Sequence, residues 1–398
     1  MADKKAHVHL SDIAGISLLA VSATREVTNL AQAVHNSITH SPALSGNPVH
    51  GHVQAISNLV YTSVRGVTEI VGGATNFLAP FAPILNEPSS PEREAALAAL
   101  NGVVGDYLVA TGNPLAISMQ LRRKGRPLAV EKAALTDALA DQCAPAACDK
   151  LLVLVHGLCM NDLHWSQDLQ TALARELGYT TIHLRYNSGL HVSRNGMAFA
   201  ALLQNLLEQW PGEIKKFAIL AHSMGGLVAR SAHYYGVKAG HDWPKRLQKM
   251  IFLGTPHHGA PLERLGNVFE VCLGMNRYSA SFARLGKIRS AGITDMRYGN
   301  VLDEDWQGVD RFQYVSDTRH PLPLPENVSC YAIAGYIGSK AGALLGDGMV
   351  SVDSALGRHR NPLMELSFPR SSQWVARGAD HWDLLSSAAV HEKILSWL

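Results

Sequence analysis

The chain predicts a doubly wound, mostly parallel α/β sheet with a cap or lid insertion and a helical N-terminal segment, on three observations. The run Leu151 to Val155, LLVLV, is continuous and apolar, as a strand buried on both faces of a parallel sheet must be. From there helical and strand patterns alternate: helix 165–177, strand 180–185, helix 197–209, strand 217–221, helix 225–236, strand 249–253. Such alternation implies right-handed crossovers between parallel strands. Residues 258–328 then break the rhythm, which marks a cap or lid, before Cys330 to Ala334 and Gln373 to Val375 resume as strands.

Ahead of the sheet, residues 1–114 read as a helical segment and 115–398 as a second, catalytic domain. The N-terminus offers a basic start and an apolar run, but Asp12 interrupts it. Val27, Leu30, Val34 and Ile38 continue the pattern at helical spacing, so a retained amphipathic helix is expected rather than a cleaved signal. A second helix follows from Val53, Ile56, Val60, Val64, Val67, Val71, Ala74 and Leu78, which share one face. Its opposite face is small and uncharged, which suggests contact on both sides. Pro80, Pro83 and Pro88 end it, and Ser90 starts another helix through about Leu108. Ile117 to Leu121 and Pro127 to Val130 flank Arg-Lys-Gly-Arg as a hairpin, and a short helix and linker lead into LLVLV.

Bulk composition narrows the function. With 398 residues, 47% hydrophobic and 17% charged, the chain is foldable and mostly ordered. A net charge of +2 and the lack of a dense Lys/Arg stripe argue against a nucleic-acid partner. Five cysteines make no disulfide framework, so a reducing, cytoplasmic setting is expected, with Cys143 and Cys148 read as linker residues. No apolar stretch is long enough for a spanning helix.

The strongest chemical signal is Ala221-His222-Ser223-Met224-Gly225-Gly226, between the apolar strand Phe217 to Ala221 and a helical run. A sharp strand-to-helix turn leaves room only for small residues two positions either side of the serine, here Ala221 and Gly225. The helix N-terminus favours an oxyanion beside the Ser223 hydroxyl. A second signal is His156-Gly157-Leu158 at the end of LLVLV. Gly157 lets the chain turn closely, so that the N–H of Leu158 can join that of Met224 in an oxyanion hole, while His156 orients the loop.

These residues resemble a bacterial lipase or esterase of the α/β-hydrolase superfamily. The elbow Ala-His-Ser-Met-Gly resembles that of small Bacillus lipases, and Phe252-Leu253-Gly254-Thr255-Pro256-His257-His258-Gly259 resembles the lipase segment after the next strand, with likeness to the GPI inositol-deacylase-like branch. The resemblance covers about 117–398 and implies an α/β-hydrolase fold with an acid after the seventh strand and a histidine after the eighth. Gly346-Asp347-Gly348-Met349-Val350 resembles the lipase acid turn and nominates Asp347, with Asp353 as its rival. Gly378-Ala379-Asp380-His381 follows the last strand and nominates His381.

The resulting expectation is a serine esterase or lipase acting on a small-molecule or lipid ester, with Ser223, Asp347 and His381 as the triad and no cofactor or metal. An acyltransferase using the same triad, a depolymerase acting on a polyester or lipid surface, and a surface-attachment protein remain open. The N-terminal helices would then either contact a membrane, lipid or polymer surface or pack as a subdomain. His257-His258 reads as structural or pocket-lining rather than a metal pair, Cys159 as lining the oxyanion loop, and His191 with the Asn187 to Gly196 stretch as a loop near the site without an assigned role. Val268, Phe269, Val271, Leu273 and Met275 are candidates for a lid and acyl pocket. Oligomeric state is not legible.

Overall fold

The computed structural model describes residues 11–12, 15–19, 89–140, 148–260, 289–312, 316–338 and 346–398. It divides the chain into two units, Met1–Arg93 with Leu108–Leu115, and Glu94–Tyr107 with Ala116–Leu398. Helix α1, Pro91–Ala110, therefore contributes its central residues to the larger unit. In the smaller unit residues 11–12 and 15–19 are helical, and the Asp12 carboxylate takes two hydrogen bonds from the Arg93 guanidinium, each 2.7 Å. Ser90 Oγ accepts from Arg93 N at 3.2 Å and caps α1 as its sequence position predicts. The second predicted helix, 53–78, lies outside the described residues.

The larger unit is built on one eight-stranded sheet in the order β2-β1-β4-β3-β5-β6-β7-β8. Its strands are β1 Gln120–Arg123, β2 Arg126–Pro127, β3 Lys150–Val155, β4 Thr180–Arg185, β5 Lys216–His222, β6 Lys249–Leu253, β7 Ser329–Tyr336 and β8 Gln373–Arg377. Only the β1–β2 and β1–β4 pairs are antiparallel. The predicted hairpin is present but shorter than its apolar flanks suggest, and the predicted short helix follows it as α2, Lys132–Leu139. Lys124 and Gly125 both take positive φ at the hairpin turn, as a two-residue connection between twisted strands requires.

Helices cover both faces of the sheet. Leu152, Leu154, Leu220, Ile251, Leu253 and Ile333 form one buried face with Leu169 and Leu173 of α3, Gln167–Arg175, and with Ile394 of the C-terminal helix Ala388–Trp397. The alternate residues of β3, Leu151, Val153 and Val155, are equally buried on the other side. There α4, Val192–Gln209, packs against α5, Met224–Lys238, which also touches β3 and β5. Burial on both faces is why β3 reads as an unbroken apolar run.

Helix α4 begins five residues earlier than its apolar periodicity indicates, because tertiary contacts form its start. His191 Nδ1 pairs with Asp295 at 3.0 Å, Val192 N donates to the same carboxylate at 2.8 Å, and the His191 ring stacks on Trp306 at 3.7 Å. Asp295 belongs to a short helix, Ala291–Asp295, inside the predicted lid. His191 thus ties the described part of the insertion to α4. Residues 261–288, with the candidate lid side chains Val268, Phe269, Val271, Leu273 and Met275, lie outside the described residues.

Three further readings meet the structure here. Glu94–Tyr107, placed by sequence in the N-terminal segment, falls in the larger unit. Cys148 is disulfide-bonded, which corrects its reading as an unpaired linker residue; its partner lies outside the described residues. Among the described residues no helix is long and apolar enough to cross a membrane.

Candidate active site

Strand β5 delivers Ser223 to the C-terminal edge of the sheet. The residue takes φ 54° and ψ −130° between β5 and α5, a conformation that L residues rarely adopt. Ser223 N donates to Leu253 O at 2.8 Å, which ties the turn to the end of β6. The small neighbours are needed sterically: a Cβ on Gly225 would lie 2.5 Å from His156 O and 2.6 Å from Val155 O, both backbone atoms. Gly225→Ala is therefore expected to cost about 2 kcal/mol of stability and to lower any activity of the site more than tenfold. Urea midpoints and initial rates on the same preparation check both, and a variant with wild-type values contradicts the packing argument.

Asp347, after β7, and His381, after β8, come together. His381 Nδ1 lies 2.7 Å from Asp347 Oδ2, and His381 N donates to Asp347 O at 3.1 Å. The second carboxylate oxygen accepts from Met349 N at 3.0 Å and Val350 N at 2.8 Å, so the acid is fixed by its own turn. Glycines allow the approach. A Cβ on Gly254 would sit 3.0 Å from His381 Cε1 and 3.1 Å from Asp347 Oδ2, and one on Gly335 would sit 2.7 Å from Asp347 Cβ. Among the described residues His381 Nε2 is buried without a hydrogen-bond partner, so no hydrogen bond joins it to Ser223 Oγ in this structure. Such contacts are commonly long before substrate arrives. The rival Asp353 is far more exposed and pairs with Arg358 at 3.4 Å. It lies in the first turn of helix Val352–Ala355, which Ser351 caps.

The turn after β3 packs directly on the serine: a Cβ on Gly157 would lie 2.9 Å from Ser223 Cβ and 3.2 Å from His222 Nδ1. His156 orients this turn. Its Nδ1 lies 2.8 Å from Gly157 O, Tyr186 N donates to its Nε2 at 3.4 Å, and its ring stacks on Tyr186 at 4.3 Å. Tyr186 Oη also donates to His156 O at 2.8 Å. Leu158 is buried beside this turn, and Met224 opens α5. His222, the last residue of β5, donates its Nε2–H to His381 O at 3.0 Å.

Neighbours of the turn carry less obvious roles. Cys159 takes φ 58°, held by a hydrogen bond from its N to Ser188 Oγ at 3.1 Å. Its sulfur packs where a Cβ on Gly102 of α1 would intrude to 2.3 Å. Arg230 lies 3.4 Å from His257 Nδ1, while His258 N donates to Ser354 Oγ and His258 Nε2 lies near Gly357 O, each at 3.0 Å. Among the described residues no cluster of His, Cys, Asp or Glu could hold a metal.

Sequence reasoning missed Tyr186, the close packing at Gly254 and the contribution of α1. Only Gly102 and Gly105, three residues apart on a helix otherwise rich in alanine and valine, signalled a close packing face.

Burial keeps several imidazoles neutral. It holds His156 down to about 3, and His183 and His258 down to about 4. In the unfolded chain each regains an ordinary pKa near 6.5 and binds a proton first as pH falls. Their contribution to stability is therefore complete above about pH 6.5 and is lost on acidification. At pH 5 each such histidine is expected to remove about 2 kcal/mol relative to pH 7. Urea unfolding at the two pH values checks this, and equal midpoints would refute it.

A serine at a strained strand-to-helix turn, a buried His–Asp pair after the last two strands and this strand order define an α/β-hydrolase fold. A family model described as the PGAP1-like alpha/beta domain matches residues 193–326, about a third of the chain, which includes Ser223 but neither Asp347 nor His381. Among solved structures, the mature Bacillus licheniformis lipase BlEst2 is 19% identical with a TM-score of 0.41, over 64% of this chain and 93% of that one. A Pyrococcus furiosus esterase is 12% identical at TM-score 0.37, over 63% and 80%. The Legionella pneumophila phospholipase PlaB in complex with thio-NAD is 18% identical at TM-score 0.34, over 52% and 43%. The likeness is of fold alone. Among curated proteins none matches.

Proposed function

We propose that this chain is a serine carboxylic-ester hydrolase that works through an acyl-enzyme, with Ser223 as nucleophile, His381 as base and Asp347 as the acid that orients the base. The observation that carries this reading is the buried 2.7 Å pair between His381 Nδ1 and Asp347 Oδ2, which leaves Nε2 as the ring nitrogen without a hydrogen-bond partner among the described residues. In this reading Asp347 fixes the tautomer with the proton on Nδ1. Nε2 then accepts the proton of Ser223 Oγ as that oxygen attacks an ester carbonyl, and returns it to the leaving alcohol. Water repeats the sequence on the acyl-enzyme.

The negative oxygen of each tetrahedral intermediate is assigned to the N–H groups of Leu158 and Met224. Two features support this: Gly157 lies against Ser223, and the first N–H groups of α5 have no acceptor within the helix. The substrate is taken to be a small-molecule or lipid ester.

The test is a panel of nitrophenyl esters of increasing acyl length, followed by intact mass. A covalent acyl increment on the peptide containing Ser223, with free acid as the final product, is the expected result. Turnover with no adduct under rapid acid quench, or an adduct on another residue, would overturn the assignment. Transfer of the acyl group to an added alcohol in preference to water would make the enzyme an acyltransferase.

A further inference from the structure

The histidine before the nucleophile has no part in the proton transfers above, yet it is one of the most enclosed polar groups in the protein. Its side chain is fully buried at the end of β5. Nε2 is 3.0 Å from His381 O, and the two imidazole rings lie 4.7 Å apart with a 50° tilt. The Trp382 ring is 6.1 Å away. Toward the other side, its Nδ1 faces Gly157, where an added Cβ would approach to 3.2 Å. His222 therefore sits between the turn assigned to the oxyanion and the loop that carries the base.

The geometry fixes its chemistry. A carbonyl oxygen only accepts, so the proton of neutral His222 must be on Nε2 and the lone pair on Nδ1. That Nδ1 has no hydrogen-bond partner among the described residues. Burial, and next the charge of nearby His381, hold its pKa well below the ordinary value. It consequently stays neutral, adds no positive charge to oppose an imidazolium on His381, and keeps its hydrogen bond as the pH changes.

Residue 381 is restrained at three points. Its N–H bonds Asp347 O, its Nδ1 pairs with Asp347 Oδ2, and its carbonyl oxygen accepts from His222. The first two come from one residue, and the N–H of the following peptide, Trp382 N, donates to Asp380 Oδ1 at 2.8 Å within the same loop. The third comes from the residue covalently attached to Ser223.

We propose that His222 is a positioning residue that fixes the orientation of the His381 imidazole relative to Ser223 through the Nε2–H to His381 carbonyl bond. This rests on the reading of Ser223 and His381 as nucleophile and base. Because the donor adjoins the nucleophile in the chain, any shift of the elbow carries the base loop with it, so the distance between the two reacting side chains is kept more constant than either position alone. Misplacement of a catalytic group by about 1 Å lowers turnover by about a hundredfold.

His222→Phe keeps a planar ring and removes the donor, whereas the terminal amide of His222→Gln can reach the same carbonyl. Expected for the Phe variant is a kcat ten- to a hundredfold lower with KM changed less than about threefold. The rate of Ser223 modification by a fluorophosphonate should fall by the same factor as kcat. Expected for the Gln variant is recovery to within about threefold of wild type in both readouts. Wild-type kcat in the Phe variant would overturn the proposal, and so would a Gln variant as impaired as the Phe variant. His222→Leu asks the same question should phenylalanine prevent folding. Ser223→Ala run in parallel separates the two ideas. Activity surviving that substitution removes the nucleophile itself, while a dead Ser223→Ala beside a fully active His222→Phe removes only the role assigned to His222.

Discussion

Exchange of Ser223 for alanine is expected to lower kcat by about 10⁴- to 10⁶-fold, the range found when a triad nucleophile is removed and only the oxyanion donors and binding remain. KM should change little, because the hydroxyl is invoked for covalent chemistry rather than for binding. Glycine at the same position gives a second, opposite readout. Ser223 sits at φ 54° and ψ −130°, a region costly for a residue with a Cβ and open to glycine. Ser223→Gly is therefore expected to be as inactive as the alanine variant yet more stable than wild type by about 1 kcal/mol. Rates on the best nitrophenyl ester, measured with urea midpoints for all three proteins, decide it. Retained turnover in the alanine variant would remove the proposed nucleophile, and a less stable glycine variant would remove the strain argument.

The second large effect is on folding. Glu94 Oε2 lies 3.0 Å from Arg122 Nη1 and 2.9 Å from Arg185 Nη2, and Arg122 also reaches Asp162 Oδ1 at 2.9 Å. All four side chains are at most 12% exposed. Removing one partner of such a set leaves charge in a medium that solvates it poorly, which commonly costs 3–5 kcal/mol. Because Arg122 keeps Asp162, Glu94→Ala is expected to cost about 3 kcal/mol, read as a lower urea midpoint with an unchanged slope. It follows that a truncation beginning at residue 115 should be insoluble or inactive. That truncation removes Glu94 and the face of α1 against Cys159 and Asn187, where Cβ atoms on Gly102 and Gly105 would fall 2.3 Å and 1.9 Å from side-chain atoms. A truncation beginning at residue 89 keeps these contacts and should retain the fold of the larger unit. A soluble, active chain from residue 115 would show that α1 is dispensable.

The two predictions differ in how far the sequence reaches. Local chemistry is written in adjacent residues. The unbroken apolar run of β3 follows from burial on both faces, and Gly225 follows from the backbone of His156 and Val155 lying within contact of its missing Cβ. The Lys-Gly turn follows from the twist of the two strands it joins. For the same reason the elbow and the turn after β3 were legible in the sequence: each is a short segment whose residue types answer constraints imposed by its immediate neighbours, while the Asp347 turn was nominated by its resemblance to the lipase acid turn.

Long-range pairing leaves no such mark. Glu94 meets Arg122 and Arg185 across 28 and 91 positions, and nothing in a helix rich in alanine signals that its glutamate neutralises two arginines on separate strands. The early start of α4 depends on Asp295, 103 residues away, which stands in for an N-cap that no local residue supplies. His222 is recognisable in sequence as part of the elbow, but its bond to His381 spans 159 positions.

By itself, the sequence determined the α/β sheet, its strands and the elbow that presents Ser223, because periodicity, small residues and turn chemistry act over a few bonds, whereas the segments of Asp347 and His381 were nominated only by the resemblance to a lipase. Only the tertiary structure decided that the central residues of α1 belong with the sheet and that the base loop is tied to the elbow. Buried charges and carbonyls must find partners wherever the folded chain happens to bring them, and the distance along the chain places no limit on that search.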